Sequence, residues 1–352
     1  IRDRMMLAAV YHGPDDLRVE EIPIPEIRSD EALLKVLSTG ICGTDLRIWH
    51  GSHRKYSPGT IRTPGHEVVG DIVEVGSDIK GLDINQRIFM APNMGCGHCR
   101  QCISGKNNLC IDYEAPGITF DGSFAEYMRI PAAAITQGNI IPISQDIDPS
   151  VATLIEPFAC VLRGQEAVHI RPGEPVLVVG AGPVGIMHVV LAKLHGAGLV
   201  IVSEINPGRA SKVLEFGADL VVNPAQEDLA EIISERTGGF GVDVVLLAAP
   251  AREAYQAAVE YVSIGGRINF FAGLPKDNPT IELDANLIHY KEIIVTGTTA
   301  SSTQNCRQAA QILTSGRVDL SGLISTRFPL SEAVQAFSAA ESGEGLKVIL
   351  EP

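Results

Sequence analysis

A Gly-x-Gly-x-x-Gly turn set between two short apolar runs restricts this chain more than any other feature. The run Val176–Val179 is short and β-branched, the pattern of a strand buried on both faces of a parallel sheet. Gly180, Gly182 and Gly185 follow, interleaved with Ala181, Pro183 and Val184. A helical stretch with apolar residues on most faces comes next. It leads into a second strand, Leu199–Val202, and then Glu204, 19 residues after Gly185. Gly180 permits the tight turn, Gly182 lets the backbone approach a pyrophosphate, and Gly185 lets the helix pack close to its strand. Free N–H groups at the helix N-terminus suit phosphates. Glu204 is placed to accept from a ribose 2′-hydroxyl. These parts together predict a dinucleotide site. The alternatives are a close-packing turn, or a methyltransferase-type nucleotide site built on the same strand–helix–strand logic. A membrane span is a third, since 175–192 carries no formal charge, but three glycines and two prolines argue against it.

The chain has 352 residues, enough for two domains. Its net charge is −14, from 28 basic and 42 acidic residues, which disfavours nucleic acid and anionic membranes as main partners. Residues 1–4 are charged and have no apolar run behind them, so no secretory signal is read there. Met5 or Met6 is the expected start. Clustered cysteines with no such signal read as a cytoplasmic, metal-binding chain rather than a disulfide scaffold.

The first 150 residues are rich in candidate strands separated by Gly-Pro and Pro-rich turns: 7–10, 17–22, 31–39, 68–75, 86–90 and 123–130. After Pro149 the texture changes. Residues 151–169 read as one helix, and strands at 176–180, 199–203, 219–222, 242–247, 266–271 and 292–296 alternate with helical segments. That alternation predicts an α/β doubly wound parallel sheet of six strands. From about Ser301 the pattern is helix, turn, strand, helix, then a last strand at 347–350.

Cys96, Cys99, Cys102 and Cys110 are spaced x2, x2, x7 among Gly95, Gly97 and Gly105. Four thiolates in so short a loop close around zinc with no open position, the mark of a structural site. Two disulfides or an iron–sulfur cluster are the alternatives, and the compartment and the spacing fit them poorly. Three further potential ligands are scattered: Cys42, His66 with Glu67 beside it, and Glu156 before Pro157. Nothing in periodicity joins them. Taken one at a time, each reads at least as well as a core cysteine, a satisfied core histidine or a helix-start acid.

Taken together, Gly40-Ile-Cys-Gly-Thr-Asp45, Pro64-Gly-His-Glu67, the four-cysteine lobe, Asp121-Gly-Ser-Phe-Ala-Glu-Tyr127, Glu156-Pro157 and the glycine-rich turn resemble the zinc-dependent medium-chain dehydrogenase/reductase superfamily. The resemblance is nearest its polyol (sorbitol-like) and threonine dehydrogenase branches and runs over almost the whole chain. It implies a GroES-like β-rich catalytic domain over 1–155, with the zinc lobe at 95–111. A Rossmann NAD-binding domain over 156–300 and a return to the catalytic domain over 301–352 complete it. By the same resemblance, Cys42, His66 and Glu156 are catalytic zinc ligands and Glu67 is the acid that approaches the metal. Thr44 takes the substrate proton, and Gly180, Gly182, Pro183, Val184, Gly185, Glu204, Arg209, Gly273 and Thr298 meet the nucleotide. Glu204 favours NAD over NADP, because a carboxylate repels a 2′-phosphate; Arg209 is compatible with the phosphate form, but an arginine there in the NAD-using polyol branch packs on the adenine. Position 47, where the family often continues its proton relay with histidine, is arginine. His50, His53 or water are the candidate substitutes, and Arg47 is also a candidate for binding a cofactor phosphate or an anionic substrate. Trp49 and Phe120 resemble pocket-lining positions, with a core role as the alternative for Trp49.

The expected activity is therefore hydride transfer between a secondary alcohol, a polyol or sugar-derived hydroxyl, and NAD, with two zinc ions per chain. L-threonine or another alcohol of the same family is the alternative substrate. A zinc-free reductase of this fold and a non-catalytic nucleotide-binding protein are the competing classes. The partners expected are a small-molecule alcohol and further copies of the chain, as a homotetramer or homodimer, with no nucleic acid and no membrane.

Overall fold

The computed structural model describes residues 4–352, so Ile1, Arg2 and Asp3, which bear on the reading of residues 1–4, lie outside the described residues. The strands in chain order are β1 Met5–Gly13, β2 Asp16–Pro23, β3 Ala32–Gly40, β4 Glu67–Val75, β5 Arg87–Met90, β6 Tyr127–Ile130, β7 Ile140–Pro142, β8 Pro175–Val179, β9 Leu199–Ser203, β10 Leu220–Val222, β11 Val242–Leu247, β12 Val262–Phe270, β13 Ile294–Gly297, β14 Ile324–Pro329 and β15 Lys347–Glu351. The described residues divide into two compact units, one of residues 4–159 and 301–352, the other of 160–300.

The first unit is β-rich. Its larger sheet runs β14-β15-β3-β4-β5-β7, with β6 pairing β3 as well. β3 is antiparallel to β4, β6 and β15. Leu34, Val36, Val68, Ile72, Ile88, Met90 and Met128 close one core between these strands. The registers set Gly40 opposite Glu67 on β4 and opposite Ile349 on β15. Three strands that are remote in sequence thus meet at the carboxyl end of β3, where Cys42 follows. β1 and β2 form a hairpin that joins the sheet region through an Ala8–Ala125 bridge.

The second unit is a parallel six-stranded sheet in the order β10-β9-β8-β11-β12-β13. Val176–Val179 and Val244–Leu247 are fully or almost fully buried, as strands covered by helices on both faces must be. Chain order reverses between β8 and β11, and ligands of such sheets bind at the carboxyl ends next to this switch. The uncharged stretch 175–192 is strand, turn and a 12-residue helix, and among the described residues no helix is long and apolar enough to cross a membrane.

Two local expectations differ. The helix read over 151–169 is two helices, Pro149–Thr153 and Ile155–Glu166. Pro157 has no N–H to offer the Thr153 carbonyl, so the first helix ends there and the second begins with proline in its first turn. The strand read over 123–130 is regular only from Tyr127. Upstream of it, Ser123 and Phe124 spend their backbone groups on Gly65, Pro64 and Ala9 instead of a continuous ladder.

Candidate active site and metal centres

Cys42 caps the helix Gly43–Trp49. Its sulfur accepts from Thr44 N at 3.5 Å, while Cys42 N donates to Asp45 Oδ2 at 2.9 Å. His66 and Glu67 arrive at the start of β4, and ligand atoms of Cys42, His66 and Glu67 lie within 4.8 Å of one another. His66 Nδ1 is 3.5 Å from Asp45 Oδ1, so the ring's other nitrogen is left for an ion. Neither Asp45 Oδ1 nor His66 Nδ1 has a formed hydrogen bond, and both are buried. This pairing of imidazole with carboxylate is the outer arrangement that orients metal-ligating histidines. A thiolate, an imidazole and a carboxylate form a donor set suited to catalytic zinc.

Glu156 does not belong to that three-residue set. It is buried at the start of the helix Ile155–Glu166, where its charge acts on Lys347 and Cys306. Lys347 is a residue that sequence reasoning missed. It is fully buried at the start of β15, and its Nζ donates to Glu67 Oε1 at 2.6 Å. Burial works against its charge, but Glu67, Cys42 and Glu156 outweigh that and raise its pKa. A basic residue opening a C-terminal strand was its only signal. Glu67 also explains Gly40: a Cβ there would lie 2.0 Å from Glu67 Oε2.

Thr44 is half-buried, and its Oγ1 accepts from Arg47 Nη2 at 2.9 Å. Of the two histidines considered as substitutes at the relay, His50 is held at 2.6 Å by both Asp15 and Glu341. His53 is held largely neutral, its pKa lowered to about 4 by burial and by Arg47 and Arg54. Trp49 packs edge-on against Phe337 in a hydrophobic cluster, and Phe120 packs on the strand core beneath Arg129.

In the four-cysteine loop the sulfurs of Cys96–Cys102, Cys99–Cys102 and Cys99–Cys110 are 4.0, 3.5 and 3.9 Å apart. A tetrahedron of sulfurs around zinc has edges of about 3.8 Å, from Zn–S bonds of about 2.3 Å. These spacings fit that shape and are far beyond a disulfide. Backbone N–H groups of Cys96, Cys99 and Cys102 point at neighbouring sulfurs, as in thiolate-rich loops.

In the second unit, Gly180 adopts φ +95° and Gly182 caps the helix Pro183–Leu194. A Cβ on Gly185 would stand 1.9 Å from the Gly180 carbonyl oxygen, so the close packing of turn and helix needs glycine there. Glu204 ends β9 with both oxygens engaged: Oε2 accepts from Ala181 N and Oε1 from Asn206 N, each at 2.7 Å. Arg209 follows on the helix Pro207–Glu215, whose cap Asn206 accepts from Arg209 N. Gly273 and Thr298 line a cavity of about 340 Å³ at the carboxyl ends of β12 and β13, with Tyr255 and Phe271. A larger cavity, about 880 Å³, lies at the opposite ends of the strands, away from the switch point.

Residues 28–142 match the family model described as the alcohol dehydrogenase GroES-like domain, and 183–315 match that of the zinc-binding dehydrogenases. An L-threonine 3-dehydrogenase of Chromobacterium violaceum is 33% identical over 350 residues, 99% of each chain. A crystal structure from Sinorhizobium meliloti 1021, bound to NADP, is 32% identical with a TM-score of 0.91, covering 99% of this chain and 100% of that one. The 2R,3R-butanediol dehydrogenase of Bacillus subtilis is 25% identical with a TM-score of 0.88, covering 99% of each.

Proposed function

This chain belongs to the zinc-dependent medium-chain dehydrogenase/reductase superfamily, and we propose that it oxidises a secondary alcohol with NAD as hydride acceptor. The family fixes an oxidoreductase acting on a CH–OH group. The observation that supports the finer reading is the grouping of Cys42, His66 and Glu67, with the backbone N–H of Thr44 donating to the Cys42 sulfur. Cys42 and His66 would hold the catalytic zinc with Glu67 beside them, and the family resemblance adds Glu156, which lies outside that grouping, as a further carboxylate. Glu67, already neutralised by Lys347, serves as the exchanging acid. Cys96, Cys99, Cys102 and Cys110 would hold the structural ion. Bound zinc supplies Lewis acidity, which makes an alcohol proton easier to lose near neutral pH.

Thr44 is the group that receives that proton. Arg47 fills one acceptor position of its oxygen and cannot itself accept a proton. His50 is tied between two carboxylates and His53 is a weak base, so water takes the proton onward. Glu204 supports NAD, with room on its oxygens for ribose hydroxyls beside the two backbone donors. Arg209 packs against the adenine, and Gly273 and Thr298 meet the nicotinamide half. The chain acts in the cytoplasm as a homodimer or homotetramer. L-threonine stands beside polyols as substrate, because the L-threonine 3-dehydrogenase of Chromobacterium violaceum is a relative over the full length of the chain.

A panel of polyols, hydroxy acids and L-threonine, run with NAD and with NADP, tests this reading, with Cys42→Ser as the control. NADH formation that is lost in Cys42→Ser supports it. Full activity of Cys42→Ser overturns the metal assignment.

A further inference from the structure

Between Asp45 and Glu67 the sequence holds Arg47, Arg54, Lys55 and Arg62 and no acidic residue, in a chain where acids outnumber bases 42 to 28. Two of these cations are engaged locally. Arg62 donates to the Ile118 carbonyl and covers the Tyr56 ring, and Lys55 lies over the Tyr113 ring at 5.4 Å. Arg47 and Arg54 are exposed, and among the described residues neither has a carboxylate partner. Arg87, Arg129, Arg267 and Arg327 are each paired with an aspartate or glutamate, whereas Arg100, Arg236 and Arg317 are exposed with no carboxylate partner among the described residues, so what marks Arg47 is its neighbour. The partner of Arg47 is instead the neutral hydroxyl of Thr44, at 2.9 Å. Thr44 N in turn reaches Cys42 Sγ at 3.5 Å. The guanidinium is thus two hydrogen bonds from a candidate metal-ligating sulfur. Both Arg47 and His66 act electrostatically on His53.

We infer that the alcohol this enzyme oxidises carries a negative charge, a carboxylate or a phosphate, received by Arg47, with Arg54 of the same segment as a second cation. The inference rests on the dehydrogenase reading above and narrows its substrate class to hydroxy acids, hydroxy amino acids and phosphorylated polyols. The guanidinium presents a planar fork that matches either anion, and four of its five donors remain after the bond to Thr44. A neutral polyol has no group that uses this charge. The position also sets a distance: the anion belongs within a few bonds of the reacting carbinol, because Arg47 is one hydrogen bond beyond Thr44.

The test uses the zinc-loaded full chain and matched pairs: 3-hydroxybutyrate against 1,3-butanediol, D-gluconate against D-glucitol, and D-glucitol 6-phosphate against D-glucitol. The wild-type kcat/KM is expected to favour the anionic member of at least one pair by about tenfold or more, and which pair responds separates carboxylate from phosphate. Arg47→Gln is expected to raise KM for that anion about 10- to 100-fold more than for its neutral partner, the range for a lost charge-assisted bond, with partial recovery in Arg47→Lys. Arg54→Gln should act in the same direction and less. A merely structural role would depress both members alike. Equal or better use of the neutral members overturns the inference, as does a rise in the KM for NAD that is the same with both members.

Should no alcohol of either charge be oxidised, the dehydrogenase reading itself fails. Calorimetric titration with D-gluconate and with inorganic phosphate then decides the inference separately. Binding that is lost in the Arg47→Gln, Arg54→Gln double variant sustains it, and no binding by the wild type ends it.

Discussion

Lys347 Nζ lies 2.6 Å from Glu67 Oε1 and 2.5 Å from Oε2, with both side chains shut away from water. An ion pair in such surroundings contributes little net stability, since each charge had to be stripped of solvent. Removing one partner is another matter, because the other is left buried and uncompensated. Lys347→Met should therefore cost about 3–5 kcal/mol, read as a lowered urea midpoint. Adding Glu67→Gln should recover much of that loss. If Lys347→Met alone is as stable as the wild type, the pair does not govern the site as described.

Metal content is the second expectation. The wild type should carry about two zinc ions per chain and Cys102→Ser about one, because structural zinc needs its full tetrahedral set. Cys42→Ser should also carry about one, with the lobe at 95–111 left intact. Elemental analysis after exhaustive dialysis checks both. Two ions in Cys102→Ser would remove the structural assignment.

Glu204→Ala should weaken NAD binding about tenfold, the usual cost of a lost bond to a charged group. It also frees the Ala181 amide, which donates to Glu204 at 2.7 Å, and so loosens the turn. NADP should suffer less, since the repelling carboxylate is gone. Fluorescence titration with both nucleotides measures this. Tighter binding of NADP than of NAD by the wild type would contradict the role given to Glu204, and the Sinorhizobium structure with NADP makes that comparison worth doing first.

His188 predicts an acid limb of stability. Burial against Phe271 lowers its pKa to about 3, while Gln165 contacts its ring and carbonyl. The folded chain keeps it neutral where the unfolded chain, with a pKa of about 6.5, takes a proton. Its contribution is complete above that value and declines as pH falls towards 3. The loss is about 1.4 kcal/mol per pH unit, on the order of 3 kcal/mol between pH 6 and 4. His188→Leu should flatten that limb, followed by denaturation at each pH. An unchanged slope would count against a neutral, buried ring.

What the sequence disclosed followed the range of its signals. The buried run Val176–Val179, the glycines and Glu204 lie within one strand–helix–strand unit, and local spacing reads them directly. The four cysteines lie in one loop, and their sulfurs stand as zinc spacing requires. Lys347 was invisible because 280 residues separate it from Glu67 and only the register of β15 on β3 brings it near. Trp49 was ambiguous because an indole beside a helix cap looks the same whether it faces substrate or Phe337. The break at Leu154 was legible in Pro157, and the apolar periodicity on either side concealed it.

The arrival of β15 beside Gly40 has a consequence for biosynthesis. Residues 160–300 form a unit that is continuous in sequence and free to fold as it leaves the ribosome. The sheet around Glu67, made early, waits for a strand translated nearly last. Until then a buried carboxylate has no cation. A chain stalled on the ribosome shortly before Lys347 would have the nucleotide fold complete and the Glu67 pair unmade.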